Sequence, residues 1–314
     1  MTPKLMKLPL KGIIPPMITP LLENKELDSK GLKLLIEHLI EGGVHGIFLL
    51  GTNGEGPSLD YRLRRQLIKE ACKIVNHRIL VLVGITDTSF NATVEMANYA
   101  KEMGADALVV APPYYFPVTQ HETIDYLKAL IPTLPLPFLL YNIPSCTKVN
   151  LSVETVKKGK EMGAIGIKDS SGDMSLLYAL IDEFKDTPDF SIIAGAELFL
   201  SDTILNGGHG AVAGGANCFP KLFVDLYEAS LSRDLNKIAF LRDQLLKIHK
   251  TIYNVGDSPT KSIQAIKCVL SLKGICQDYM ALPLSPLNTT HRNEIKGYLE
   301  EFEYSKKQRT GLKL

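Results

Sequence analysis

Eight short apolar runs, the helix-period segments between them and the glycines that close those segments predict an α/β fold. The fold class is a (β/α)8 TIM barrel with a C-terminal helical extension. The runs read GIIPPMITP from residue 12, GIFLLGTNGE from 46, ILVLVGIT from 79 and ADALVVAPPYY from 105. PFLLYNIP from 137, AIGIKDSSG from 164, SIIAGAE from 191 and GAVAGGAN from 210 complete the set. They are apolar throughout rather than alternating, as strands covered on both faces are.

Between the runs, LKLLIEHLIEGG, RRQLIKEACKIV, TVEMANYAKEMG and HETIDYLKALI repeat apolar residues three and four positions apart. That is the stripe of an amphipathic helix. LIEGGVHG, AKEMGADA, GKEMGAIG and LNGGHGAV each set a glycine between a helix and the next apolar run. A glycine there supplies the left-handed residue that reverses the chain tightly. An open doubly wound sheet is the rival architecture, but its usual GxGxxG turn is absent after the first run. The barrel is expected over residues 1–234. From 235 to 314 only helical patterns follow, ending in the short basic tail KKQRTGLKL, which is expected to fray.

Composition excludes several function classes. The 35 basic and 34 acidic residues leave a net charge of +1, so no field draws the chain to nucleic acid or an anionic membrane. No apolar run reaches the length of a membrane span, and the N-terminal residues lack a signal peptide's apolar stretch. Five scattered cysteines without CxxC spacing fit a reducing compartment, and a cytoplasmic location is expected. The expected partners are a small molecule and further copies of the chain.

A parallel barrel gathers its chemistry at the carboxyl ends of the strands. The capable groups there are Thr52, Asn53, Glu55, Thr86, Asp87, Tyr114, Tyr115, Tyr141, Lys168, Asp169, Ser170 and Glu197. No set of histidines and acids converges on a metal, so none is expected. Lys168 ends the run AIGI; an apolar barrel mouth disfavours an ammonium and frees an amine to attack a carbonyl. The alternative is a lysine reaching out to water. Tyr141 ends the neighbouring run, where its phenol can pass a proton or merely wet its hydroxyl. GTNGE at 51–55 reads either as an anion-binding turn or as a plain glycine turn. Tyr114 and Tyr115 fit a packed loop or an oligomer contact. GGHGAVAGGAN fits a phosphate cradle or a close approach of substrate to backbone.

Taken together, GTNGE, PPYY, YNIPS, GIKDSSG and GGHGAVAGGAN resemble the N-acetylneuraminate lyase and dihydrodipicolinate synthase family of class I aldolases. The likeness spans roughly residues 10–300 and includes SPTKSIQAIKCVLSLKG. It implies a homotetramer built as a dimer of dimers, and a Schiff base between Lys168 and pyruvate or a similar 2-oxo acid, with no cofactor. It makes Tyr141 the proton shuttle, Thr52 its relay and Tyr115 the tyrosine lent to a neighbouring subunit. Thr52 and Asn53 would hold the carboxylate of the keto acid, and Gly195 and Val212 would line the pocket near the lysine. Ser170 and Glu197 are further substrate-binding candidates.

Two departures bear on the substrate. Family synthases carry an arginine where YNIPSCTK has Cys146, and cysteine supplies no cationic fork; Lys148 is a candidate substitute. Sialic acid lyases carry adjacent acids where GAELFL has only Glu197. The Asn of GTNGE is similar to the form in 4-hydroxy-2-oxoglutarate aldolases. The expected activity is therefore reversible cleavage of a hydroxylated 2-oxo acid, of the 2-keto-3-deoxy sugar acid or 4-hydroxy-2-oxoglutarate type. The alternatives are a dihydrodipicolinate synthase and a non-catalytic 2-oxo-acid-binding barrel. Retention of Lys168, Tyr141 and Thr52 argues against the second of these. A phosphosugar isomerase would need a catalytic base that has no place here.

Overall fold

The computed structural model describes residues 6–309. Eight parallel strands run β1 (Gly12–Ile13), β2 (Gly46–Leu49), β3 (Leu80–Gly84), β4 (Ala107–Val110), β5 (Phe138–Asn142), β6 (Gly166–Asp169), β7 (Ser191–Ala194) and β8 (Gly210–Ala211). Their order is β1-β8-β7-β6-β5-β4-β3-β2. A parallel bridge between Pro16 and Phe48 joins the two ends of that order and closes the ring. The eight apolar runs are the eight strands.

Helices α1 (Ser29–Glu41), α2 (Tyr61–Val75), α3 (Phe90–Glu102) and α4 (Gln120–Leu130) follow the first four strands. A single turn, α5 (Pro144–Thr147), and then α6 (Val153–Glu161) follow β5. α7 (Met174–Glu183), α8 (Leu200–Leu205) and α9 (Pro220–Leu231) complete the outer layer. α8 is short because only 19 residues separate the onsets of the last two runs.

Asp28, Asp60, Ser89, Thr119, Ser152 and Asp173 cap six of these helices, each side chain accepting an N–H of the first turn. Each such cap contributes about 1 kcal/mol. The four glycines named above, Gly43, Gly104, Gly163 and Gly207, all adopt positive φ, between 82° and 107°. They act as the left-handed stops that the sequence implied.

Strand side chains alternate between two cores. Leu80, Leu82, Val109, Leu139, Tyr141, Ile193 and Val212 point into the barrel, joined by Leu10, Ile14 and Phe48. Val81, Val83, Leu108, Leu140, Ile167 and Ile192 point outward and pack under the helices. The extension comprises α10 (Leu235–Lys250), α11 (Lys261–Leu272) and α12 (Thr289–Arg309). Ile238, Leu245, Ile266, Val269, Ile295 and Phe302 of these helices belong to the same outer core as the barrel helices. The extension is thus continuous with the barrel's packing. Of the basic tail, Lys306–Arg309 continue α12 as helix; residues 310–314 lie outside the described residues.

Candidate active site

Lys168 and Tyr141 are register partners on β6 and β5, so both side chains enter the barrel from adjacent strands. Lys168 is 6% exposed, and its Nζ lies 3.9 Å from the centre of the Tyr141 ring. Its Nζ donates to Ser170 Oγ at 2.5 Å. Tyr141 OH and Thr52 Oγ1 stand 3.3 Å apart, which is long for a hydroxyl pair. Phe48 meets the Tyr141 ring edge-on and holds its plane.

Glycine is required at 195. A Cβ there would stand 1.9 Å from Ser170 Oγ and 2.8 Å from Lys168 Cε. Behind the lysine, Asn142 donates to Asp169 at 2.7 Å and Ser171 Oγ at 2.8 Å. Burial nonetheless pushes the Asp169 carboxyl above the ordinary carboxylate range, with those bonds working against it.

A cavity of about 240 Å³ opens above these groups, lined by Tyr141, Thr52, Tyr114, Cys146, Thr86 and Arg64. Lys168 does not border it directly. It lines a void of about 10 Å³ beneath, shared with Val212, Ile193, Leu10 and Ile14. Phe48 and Val109 touch both spaces, so the lysine stands at the floor of the larger one. The structure thus assembles Lys168, Tyr141, Thr52, Ser170, Gly195 and Val212.

Other candidates lie elsewhere. Glu197 is buried and turned away: Oε2 accepts the Gly215 N–H at 2.7 Å and Oε1 meets His249 Nε2 at 2.8 Å. Both of its oxygens are committed to the loop after β8 and to α10, and it does not line the cavity. Asn53 is also displaced from the expected place: its amide nitrogen packs against Gly214, and it does not line the cavity. Tyr115 is 78% exposed, with φ of 92°, and stacks edge-on with Phe116 at 5.0 Å. Within this chain it is Tyr114, not Tyr115, that faces the cavity. Lys148 is exposed and bonds the Ser145 carbonyl at 3.5 Å, outside the cavity lining, whereas Cys146 lines it.

Three groups in or behind the cavity wall escaped the sequence reading. Arg64 reaches the cavity wall, where Nη1 donates to Asp87 at 3.0 Å and Nε to the Leu59 carbonyl at 2.9 Å. Burial works against the Asp87 charge, but the Ser89 N–H, Arg64 and the Tyr61 hydroxyl hold its carboxyl below the ordinary range. Thr260, Ile263 and Leu284 bring the extension into the cavity wall. Lys267 of α11 forms a fully buried ion pair with Glu55. Arg64 and Lys267 share a legible signal, a charge on an otherwise apolar helix stripe. Among the described residues no group of three or more His, Cys, Asp or Glu converges on a metal-sized site. None of the described helices is long and apolar enough to cross a membrane.

The fold and these groups define a class: a (β/α)8 enzyme with a buried amine beside a phenol at the carboxyl ends of its strands. The model of the dihydrodipicolinate synthetase family matches residues 9–302, and the chain belongs to that family. It is accordingly an enzyme of a family whose named members are synthases and aldolases. A probable 2-dehydro-3-deoxy-D-pentonate aldolase, YjhH of Escherichia coli, is 34% identical over 87% of this chain and 90% of that protein. A dihydrodipicolinate synthase structure from Bacteroides thetaiotaomicron superposes with a TM-score of 0.92 at 46% identity, covering 94% of this chain and 100% of that one. The E. coli prophage protein YagE, solved with pyruvate, gives 0.88 at 32% identity over 94% and 99%.

Proposed function

We propose that this enzyme reversibly cleaves a hydroxylated 2-oxo acid, of the 2-keto-3-deoxy sugar acid type, to pyruvate and an aldehyde through a Schiff base on Lys168. The observation that carries this reading is the buried Lys168 amine placed against the Tyr141 ring, with Thr52 next along. The pyruvate in the YagE structure supports a 2-oxo acid as the partner.

The Lys168 amine attacks the C2 carbonyl, and the carbinolamine loses water to give a protonated imine. Tyr141 takes the proton of the 4-hydroxyl, and the C3–C4 electron pair moves into the imine as that bond breaks. The aldehyde leaves. The enamine is protonated at C3, and water hydrolyses the imine to pyruvate and free Lys168. The imine is the electron sink, so no bound cofactor is called for.

The charge inventory of the cavity narrows the aldehyde half. Among the described residues lining it, Arg64 is the one cation, and Asp87 already neutralises it. Cys146 stands where a carboxylate-gripping arginine would be expected. A neutral hydroxylated aldehyde fits this wall better than aspartate semialdehyde or glyoxylate. The synthase named at 46% identity favours a second reading, condensation of pyruvate with aspartate semialdehyde. The exposed Tyr115–Phe116 pair supports a homotetramer in which Tyr115 reaches a neighbouring site, which sedimentation would test. The free cysteines fit a cytoplasmic location.

Borohydride trapping with pyruvate, followed by peptide mass mapping, tests the chemistry. The expected result is one adduct on Lys168, lost in Lys168→Ala. No adduct in the wild type would overturn the reading. Cleavage of a panel of 2-keto-3-deoxy acids, set against aspartate semialdehyde condensation, separates the two substrates.

A further inference from the structure

No step above uses Glu55 or Lys267, yet their side chains form an ion pair wholly shielded from solvent. Such a pair is a poor stabiliser, because removing both charges from water offsets most of their attraction. Its position suggests another use. Glu55 ends the turn 51–55 in the left-handed conformation, φ 56°, and its N–H bonds back to the Thr52 carbonyl at 3.0 Å. Its carboxylate is divided. One oxygen meets Lys267 Nζ, and the other accepts the Ala281 N–H at 2.7 Å. Lys267 also donates to the Tyr279 carbonyl at 2.7 Å. A single carboxylate therefore pins together the turn that carries Thr52, helix α11 and the segment leading to Leu284.

The Thr52–Tyr141 separation of 3.3 Å gives this clamp its leverage. At that distance a few tenths of an ångström decide whether a hydroxyl pair passes a proton or merely stands apart. We propose that Glu55 and Lys267 are positioning residues, holding the turn 51–55 so that Thr52 stays within reach of the Tyr141 phenol. The extension thereby becomes part of the catalytic apparatus, setting the relay from behind while Ile263 and Leu284 line the cavity in front. Burial depresses Lys267 below the ordinary lysine range, and the Glu55 carboxylate pulls it back up, consistent with each charge needing the other.

This inference rests on the Schiff-base reading, and its test keeps the two apart. Replacing one partner alone strands a buried charge, so the informative variant changes both: Glu55→Gln with Lys267→Met. The glutamine keeps an acceptor for the Ala281 N–H. The folded double variant is expected to form the Lys168–pyruvate adduct in wild-type yield. Its kcat for cleavage should fall about tenfold, with KM changed less than about threefold. The limb of the pH–kcat profile set by the proton relay should also move. Wild-type kcat and an unmoved profile would show that the pair only builds the fold. Should the double variant not fold, Ala281→Pro removes the N–H to Glu55 and leaves both charges in place. It is expected to lower kcat about threefold with trapping intact, and unchanged kcat there overturns the proposal. Absence of any wild-type adduct would instead sink the Schiff-base reading.

Discussion

The two ends of the barrel use their polar side chains differently. At the amino ends, side chains bond the backbone. His45 Nδ1 accepts the Ile13 N–H at 3.1 Å, and His209 Nδ1 accepts the Ile192 N–H at 3.0 Å. Ser191 Oγ takes the Leu10 N–H at 2.7 Å, and Asp106 the Val81 N–H at 2.8 Å. At the carboxyl ends, side chains such as Glu197 and Glu55 also hold backbone, but there pairs of side chains bond one another as well: Lys168 with Ser170, Thr52 with Tyr141, Arg64 with Asp87. An acceptor that satisfies a strand amide fixes the frame and cannot leave. Two side chains paired over a cavity can part to admit a substrate. Stability is concentrated at one end and chemistry at the other.

If that division is right, damage at each end should show in a different measurement. The largest effect is expected from Tyr141→Phe, which keeps the ring against Lys168 and deletes only the hydroxyl. Its kcat should fall about 10²- to 10³-fold with the melting temperature nearly unchanged. A large drop in melting temperature would break the comparison.

Acid should strike the other end. Burial, aided by Lys11, pulls His209 down from 6.5 to about 4, and its Nδ1 must stay unprotonated to accept the Ile192 N–H. The unfolded chain takes up that proton near pH 6.5, whereas the folded chain does so only near 4. The unfolded state therefore binds more protons between those values, and stability falls as pH drops through them, by about 3 kcal/mol from this group. Urea melts between pH 7 and 4 should show the decline in the wild type. His209→Gln should flatten it.

His209→Ala leaves the Ile192 amide unpaired and should cost about 1–3 kcal/mol in urea melts at pH 7, with kcat of the folded enzyme unchanged. The smallest shift is expected from Cys146→Arg at the mouth. A new cation there should raise turnover of a carboxylate-bearing aldehyde relative to a neutral one by about tenfold, read from the ratio of kcat/KM values.

The outline of the site was legible because strand position is a local property. Lys168 and Tyr141 each end an apolar run, and in a parallel barrel run ends become site walls. Glu197 and Asn53 sit at equally good run ends and yet do not line the cavity. Run position gave them the correct face but said nothing of their partners, Gly215 and His249 for one and Gly214 for the other. Tyr114 and Tyr115 show the same limit: run position does not say which of two adjacent tyrosines faces the cavity, and it is Tyr114 that does, beside a positive φ at Tyr115.

By itself, then, the sequence determined the barrel, its glycine stops, its helix caps and the strand ends that carry the amine and the phenol. These follow from periodicity, capping chemistry and backbone sterics acting over a few residues. Only the tertiary structure decided that Arg64 would be neutralised by Asp87, that Glu197 would clamp a loop, and that Lys267 would reach Glu55 from the far end of the chain. Those pairings join residues distant in sequence. Burial of charge, which selects them, acts only once the layers have packed.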